Sequence, residues 1–377
     1  MTHVVIAGGG TGGHLFPGLA VAAALREAGA GVSWLGARRG IEALRVPDAG
    51  IPVRLLPVTG AAGLGAAARV ASSLRAVPAT AAAAAYLQRT AADAVLAVGG
   101  YASVPGALAA GMLGVPLLIQ EQNALPGVAN RLLAPWASLV ACGFESAVAA
   151  FPSLPARFTG NPIRDEFFAV GAPPAGPPAV LVLGGSQGSL FLNRVIPEAF
   201  RVLARERELP RIVHQAGLRW EADLRDRYAT LGVPATVVPF LERPADALSE
   251  STLVIARAGA LTVCELAAAR RAALLIPFAA AAHDHQTRNA EALAATGAAR
   301  VLAEKEARAE TVAAVLGSLL EDREALVERG RKGAGLAPRD AASAIASLVL
   351  ARAGVPVAAA AHDHARHAGD SGHGGRA

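Results

Sequence analysis

Val4-Val-Ile-Ala-Gly-Gly-Gly-Thr-Gly-Gly-His14 and Val180-Leu-Val-Leu-Gly-Gly-Ser-Gln-Gly-Ser189 decide the fold. Each is an apolar run of strand length that breaks into a glycine-rich turn. Each is followed by a helix-length segment, Pro17–Ala28 in the first case and Asn193–Glu206 in the second. Further strand-like runs follow the first at Val32–Leu35, Ala94–Val98, Pro116–Ile119 and Leu139–Ala141. Others follow the second at Arg211–His214, Thr236–Pro239, Leu253–Ala256 and Ala273–Pro277. Strands alternating with helices imply parallel sheets covered on both faces. The pattern occurs twice in 377 residues, which suits two domains. The expected fold is α/β, with two Rossmann-like domains facing a cleft. We place the first domain at 1–162, joined by a returning helix near 339–353, and the second at 163–338. The proline-rich stretch Val170–Ala179 reads as a linker or exposed loop, and the hinge is expected near Asn161–Asp165.

Composition narrows the chemistry. The chain is 53% hydrophobic but only 4% aromatic, so its cores must be built mainly from Ala, Leu and Val. Its two cysteines, Cys142 and Cys264, form no CxxC and no Cys/His cluster, which argues for a reducing compartment and against structural zinc. Net charge +5 permits anionic partners. The N-terminus shows no basic stretch leading into an apolar one, so no secretory signal is expected. The uncharged run from Ala94 to Gln120 carries Pro105, Pro116 and several glycines, and reads as strand, turn, helix and strand rather than a membrane span. The tail at 354–377, with His362, His364, His367 and His373 among Ala, Gly and Asp, is expected to be disordered.

Several segments carry chemistry. Gly8-x-Gly10-x-x-Gly13 formally matches a dinucleotide fingerprint, but the next strand ends in Arg38 and Arg39 rather than an acid. An NADP-dependent oxidoreductase therefore remains a formal alternative. His14 begins a helix, whose positive end disfavours the imidazolium and favours a neutral, base-competent ring. In Arg257-Ala-Gly-Ala-Leu-Thr-Val-Cys-Glu265 a strand meets a small-residue turn and then a helix opening near Leu261 and Thr262. Free amides there can hold a diphosphate, and Glu265 can accept hydrogen bonds from a ribose diol. Gln120-Glu-Gln-Asn123 and His283-Asp-His-Gln-Thr-Arg-Asn289 place amides and carboxylates near strand ends, which suits polyhydroxylated ligands. No Asp-x-Asp occurs, so no metal is assigned.

In order and spacing, GGGTGGHLFPGLAVA (8–22), GGYASVPGALAA (99–110), EQNALPGVANRLLA (121–134), GNPIR (160–164), GGSQGS (184–189), ARAGALTVCELAAA (256–269) and HDHQTRNA (283–290) resemble the MurG family. The resemblance spans about residues 3–352. It implies the glycosyltransferase B fold, with N-acetylglucosamine passing from UDP-GlcNAc to undecaprenyl-diphosphate-linked muramyl-pentapeptide (lipid I). The product is lipid II of peptidoglycan synthesis, formed with inversion to a β-1,4 link and without a cofactor.

The resemblance also implies roles residue by residue. Thr11, Gly12 and Gly13 would line the cleft, and Asn123 would contact the donor sugar. Arg164 and Ser186 would bind UDP, with Leu241 at the uracil through its backbone. Ala260, Leu261 and Thr262 would hold diphosphate and sugar, Glu265 the ribose, and Gln286 the GlcNAc hydroxyls. His14 and Glu121 would lie near the acceptor as alternative general bases. Gln120 departs from the family, which usually has His before Glu-Gln-Asn. The implied location is peripheral, on the cytoplasmic face of the membrane and against anionic lipid, with no nucleic-acid partner. The docking surface is expected near Gly60–Arg89, where Leu64, Val70, Leu74 and Leu87 accompany Arg69, Arg75 and Arg89. A catalytically silent nucleotide-sugar-binding protein is the non-enzyme alternative.

Overall fold

The computed structural model describes residues 1–58, 66–185, 187–279 and 284–356. Ser186, His283 and the tail from 357 lie outside them. The first sheet holds β1 (His3–Ala7), β2 (Gly31–Ala37), β3 (Val53–Leu56), β4 (Ala94–Ala97), β5 (Leu117–Glu121), β6 (Leu139–Cys142) and β7 (Ala156–Phe158), ordered β3-β2-β1-β4-β5-β6-β7. The second holds β8 (Ala179–Leu183), β9 (Arg211–Gln215), β10 (Thr236–Val238), β11 (Leu253–Ala256), β12 (Ala272–Leu275) and β13 (Ala299–Val301), ordered β10-β9-β8-β11-β12-β13. Every pairing is parallel. Strands such as Val4–Ala7 and Leu253–Ala256 are buried throughout, as parallel strands covered on both faces must be. Four apolar clusters, one on each face of each sheet, make the cores.

The order reverses direction between β1 and β4 and again between β8 and β11. A switch of this kind leaves a crevice beyond the strands' carboxyl ends, where open α/β sheets bind ligands. Both glycine turns lie there.

The uncharged run resolves into β4, a turn at Tyr101–Ser103, helix Val104–Leu113 and β5. Among the described residues no helix is long and apolar enough to cross a membrane. Helix Ala341–Arg352 returns to the first sheet, where Ile345, Ala346 and Val349 join the cluster of Leu15, Val21 and Leu25. Two stretches of chain thus pass between the sheets, and they touch. A Cβ on Gly160, whose φ is +73°, would lie 2.4 Å from Pro338 Cδ. Only glycine fits this crossing.

Three strands lie outside the sequence expectation: β3, β7 and β13. Each is a sheet edge, and each contains an arginine (VRLL, ARF, ARV) that interrupts the apolar run. One half of an edge strand faces water, so a charge is tolerated there.

Candidate functional site

In the second half, the turn after β8 and the turn after β11 border a cavity of about 610 Å³. Gly184, Gly185, Ser189, Arg257, Phe278 and Gln286 are among its walls. Helix Ala260–Ala268 begins beside it, after an extended Gly259, with Ala260, Leu261 and Thr262 half-buried in its first turn. The first N–H groups of a helix have no intrahelical partner and attract anions.

Glu265 lies in the second turn of that helix, half-buried. Burial pushes its carboxyl up to about 7, against the pull of Arg164 and with the repulsion of Glu166. The Arg164 guanidinium pairs with Glu166 at 2.8 Å and lies over the Phe167 ring at 4.9 Å. Gln286 Oε1 accepts hydrogen bonds from the Ala258 (3.2 Å) and Phe278 (3.0 Å) amides, which orients its NH₂ group. Leu241 is half-buried in the same apolar layer as Val263 and Ala256.

Arg257 organises this wall, a role that the sequence alone did not assign. Its guanidinium lies between the rings of Phe191 (5.1 Å) and Phe278 (5.4 Å). It donates to Ser189 Oγ (3.1 Å) and the Ile276 carbonyl (3.1 Å), and pairs with Glu304 at 2.7 Å. Burial lowers its pKa while Glu304 raises it, and a guanidinium so held stays charged.

The first glycine turn is built differently, because it is already filled. The fully buried Glu42 carboxylate accepts hydrogen bonds from the Gly10 and Ala37 amides, both at 2.8 Å. A Cβ on Gly9 would lie 2.2 Å from the carboxyl carbon of Glu42. A carboxylate therefore occupies the pocket that a dinucleotide's phosphates would need, and like charge excludes them. The oxidoreductase reading fails here.

Thr11 precedes helix Gly12–Glu27 with an exposed side chain, and Gly12 and Gly13 open the first turn. His14 points inward from that turn, and its Nδ1 lies 3.1 Å from Gln122 Oε1. Burial lowers its pKa, outweighing the hydrogen bonds of Gln122 and the Val98 carbonyl and the charges of Glu121 and Glu42, so the ring is neutral near pH 7.

The sequence profile of the glycosyltransferase family 28 N-terminal domain matches residues 4–142, and that of its C-terminal domain matches 179–345. The chain belongs to glycosyltransferase family 28. Among family members, a relative from Halorhodospira halophila is 44% identical over 352 residues, 92% of this chain and 97% of its own. One from Cupriavidus necator is 42% identical over 352 residues, 92% and 96% of the two chains. Both are named UDP-N-acetylglucosamine--N-acetylmuramyl-(pentapeptide) pyrophosphoryl-undecaprenol N-acetylglucosamine transferase. The crystal structure of Acinetobacter baumannii MurG matches with a TM-score of 0.80 and 33% identity, over 93% of this chain and all of that one. The calicheamicin glycosyltransferase CalG4, at 17% identity and a TM-score of 0.65 over 94% and 98% of the chains, shares the fold alone.

Within this family 28 fold, one expected base is fully engaged in hydrogen bonds. Glu121 is 1% exposed, and its two oxygens accept four hydrogen bonds. Oε1 takes the Asn123 amide (2.8 Å) and Asn123 Nδ2 (3.2 Å), while Oε2 takes the Gly127 amide (2.9 Å) and Asn130 Nδ2 (2.8 Å). A carboxylate so engaged has no free lone pair aimed at a ligand. Glu121 therefore holds the turn together.

Asn123 is likewise drawn into the junction. Its Oδ1 accepts from Asn289 Nδ2 at 3.2 Å, and Asn289 also binds the Ala124 amide (2.8 Å) and the Ala258 carbonyl (3.1 Å). Gln120 is fully buried on the strand face opposite Glu121, so the departure from the family lies inside the protein.

Glu121→Gln should replace an acceptor oxygen with an NH₂ that faces N–H donors. The expected loss in denaturant unfolding is about 1–3 kcal/mol for each donor left unpaired. Full stability combined with abolished turnover would instead restore Glu121 as the base.

Proposed function

We propose that this protein transfers N-acetylglucosamine from UDP-GlcNAc to lipid I, forming the β-1,4 link of lipid II in peptidoglycan synthesis. The observation that carries the reading is the contrast between the two switch points. One is an open cavity with glycines, Arg194, Arg257 and Gln286 in its walls, suited to a nucleotide sugar, and the other is a filled loop that presents a neutral histidine. Residues 1–162 with the helix near 339–353 would take the acceptor, and 163–338 the donor.

The chemistry follows in one displacement. His14 Nε2 removes the proton of the acceptor hydroxyl, whose oxygen attacks the anomeric carbon as the bond to UDP breaks on the opposite face. The departing diphosphate gains charge, which the amides of Ala260, Leu261 and Thr262 and the Arg164 guanidinium stabilise. Glu265 holds the ribose diol, and Asn123 and Gln286 orient the sugar.

Contact with the membrane is the third part of the proposal. Leu87, placed on the docking surface by sequence, is 1% exposed and belongs to the core. Leu64 and the side chains of Arg69, Val70, Leu74 and Arg75 lie outside the described residues. Support comes from neighbouring elements of the first domain. Met112 (75% exposed), Leu132 (66%) and Trp136 (52%) lie on helix Val104–Leu113, helix Val128–Leu133 and the turn that packs beside them, near the exposed Arg131. Apolar side chains beside a cation suit the interface of an anionic leaflet, which would make the enzyme peripheral on the cytoplasmic face.

Three measurements test this. With a soluble lipid I analogue, His14→Ala should lower kcat by about 10²–10⁴-fold while UDP-GlcNAc affinity holds in calorimetry; retained turnover would remove His14 from the mechanism. Glu265 must be ionised to accept two ribose hydrogen bonds, and its carboxyl titrates near 7. UDP-GlcNAc, whose phosphates do not titrate in that range, should therefore bind more tightly as pH rises from about 6 to 8, and Glu265→Gln should bind weakly and flatly. Sedimentation with anionic vesicles should be lost in a Met112/Leu132/Trp136→Ser variant that still turns over the soluble acceptor; undiminished vesicle binding would place docking elsewhere.

A further inference from the structure

We infer that Gln122 is the positioning residue that fixes the tautomer of His14 and so leaves Nε2 with the lone pair that the reaction needs. The inference rests on reading His14 as the base, and it names what makes that histidine competent. Gln122 is 2% exposed, and its NH₂ group donates to the Val98 carbonyl at 2.9 Å. A carbonyl can only accept, so the amide has one orientation, with Oε1 toward the ring. Oε1 lies 3.1 Å from His14 Nδ1 and can only accept there. The proton must therefore be on Nδ1, and Nε2 is bare.

The glutamine is itself held. Its backbone carbonyl accepts from Asn161 Nδ2 at 2.9 Å, and the same nitrogen lies 3.3 Å from Cys264 Sγ in the helix of the donor site. On one side it follows the buried Glu121, and on the other it precedes Asn123, which is bonded to Asn289. The orienting group is thus set by both domains.

An amide in this place differs from the carboxylate of a serine-protease triad. It selects the tautomer without supplying a negative charge, so the resting ring stays neutral. When Nε2 takes the proton of the acceptor hydroxyl, the Nδ1–H bond to Gln122 persists and stabilises the imidazolium. The charged groups that act on the ring are Glu42 from helix Glu42–Asp48 and Glu121 from β5. Tyr101 stands beyond Gly10, near Glu42. None is altered by changing Gln122.

The test uses the full-length enzyme with UDP-GlcNAc and a soluble lipid I analogue. Gln122→Met keeps the volume and removes the side-chain acceptor, leaving the Val98 carbonyl as the remaining acceptor that acts on the ring. It should lower kcat by at least about tenfold, because part of the population carries the wrong tautomer. KM for UDP-GlcNAc should hold, and the acidic limb of the kcat profile should move to lower pH, since the bond from Gln122 favours the protonated ring. A lower kcat with an unmoved limb would reduce Gln122 to packing. ¹⁵N NMR of the wild-type imidazole is independent of any variant: a protonated Nδ1 supports the assignment, and a protonated Nε2 overturns it. If the acidic limb survives in His14→Ala, the base reading itself fails, separately from the role of Gln122.

Discussion

Four N–H groups converge on the Glu121 carboxylate, and the form of the interdomain junction follows from that convergence. Gly127 and Asn130 pull one oxygen toward helix Val128–Leu133, while Asn123 folds back over the other. The chain leaving β5 is thereby bent into a fixed turn. Gln122 faces the first domain's histidine from this turn, and Asn123 and Ala124 face Asn289 of the second. A buried carboxylate is costly unless it is fully hydrogen-bonded, and here the bonds that satisfy it are also the bonds that shape the site.

The two halves share a topology and divide the electrostatics. In the first, Glu42 supplies an internal anion that saturates the glycine turn and supports its unusual backbone. In the second, the equivalent crevice is left open, and Arg257, clamped by two phenylalanines and paired with Glu304, stands in its wall. The buried carboxylate of Glu42 thus fills the first crevice, while the second stays open.

Much of the fold could be read from the sequence because parallel strands buried on both faces are continuous apolar runs, as in VVIA and LVIA. The edge strands VRLL, ARF and ARV could not, since in each an exposed arginine breaks the apolar pattern. For the site, the glycine turns and the helix after Gly259 were legible because backbone geometry restricts residue choice there. The tasks of individual polar residues were not. Glu42 sits within an ordinary amphipathic stretch, and nothing in EALRVPD signals that its first side chain fills a turn 32 positions upstream. Glu121 and Gln122 adjoin one another and look equally chemical, yet burial gives one a structural carboxylate's role and the other a contact with the histidine.

The helix Ala341–Arg352 lies near the end of the described chain but belongs to the first core, against Leu15, Val21 and Leu25. During synthesis the first domain emerges early and waits. Its sheet can assemble, but the apolar groove over the first helix stays uncovered until the whole second domain has been made. The second domain therefore folds while tethered to an unfinished neighbour, and the returning helix, made after it, closes the first domain. The outgoing and returning segments meet at Gly160 and Pro338, so that final step also brings these two connections together.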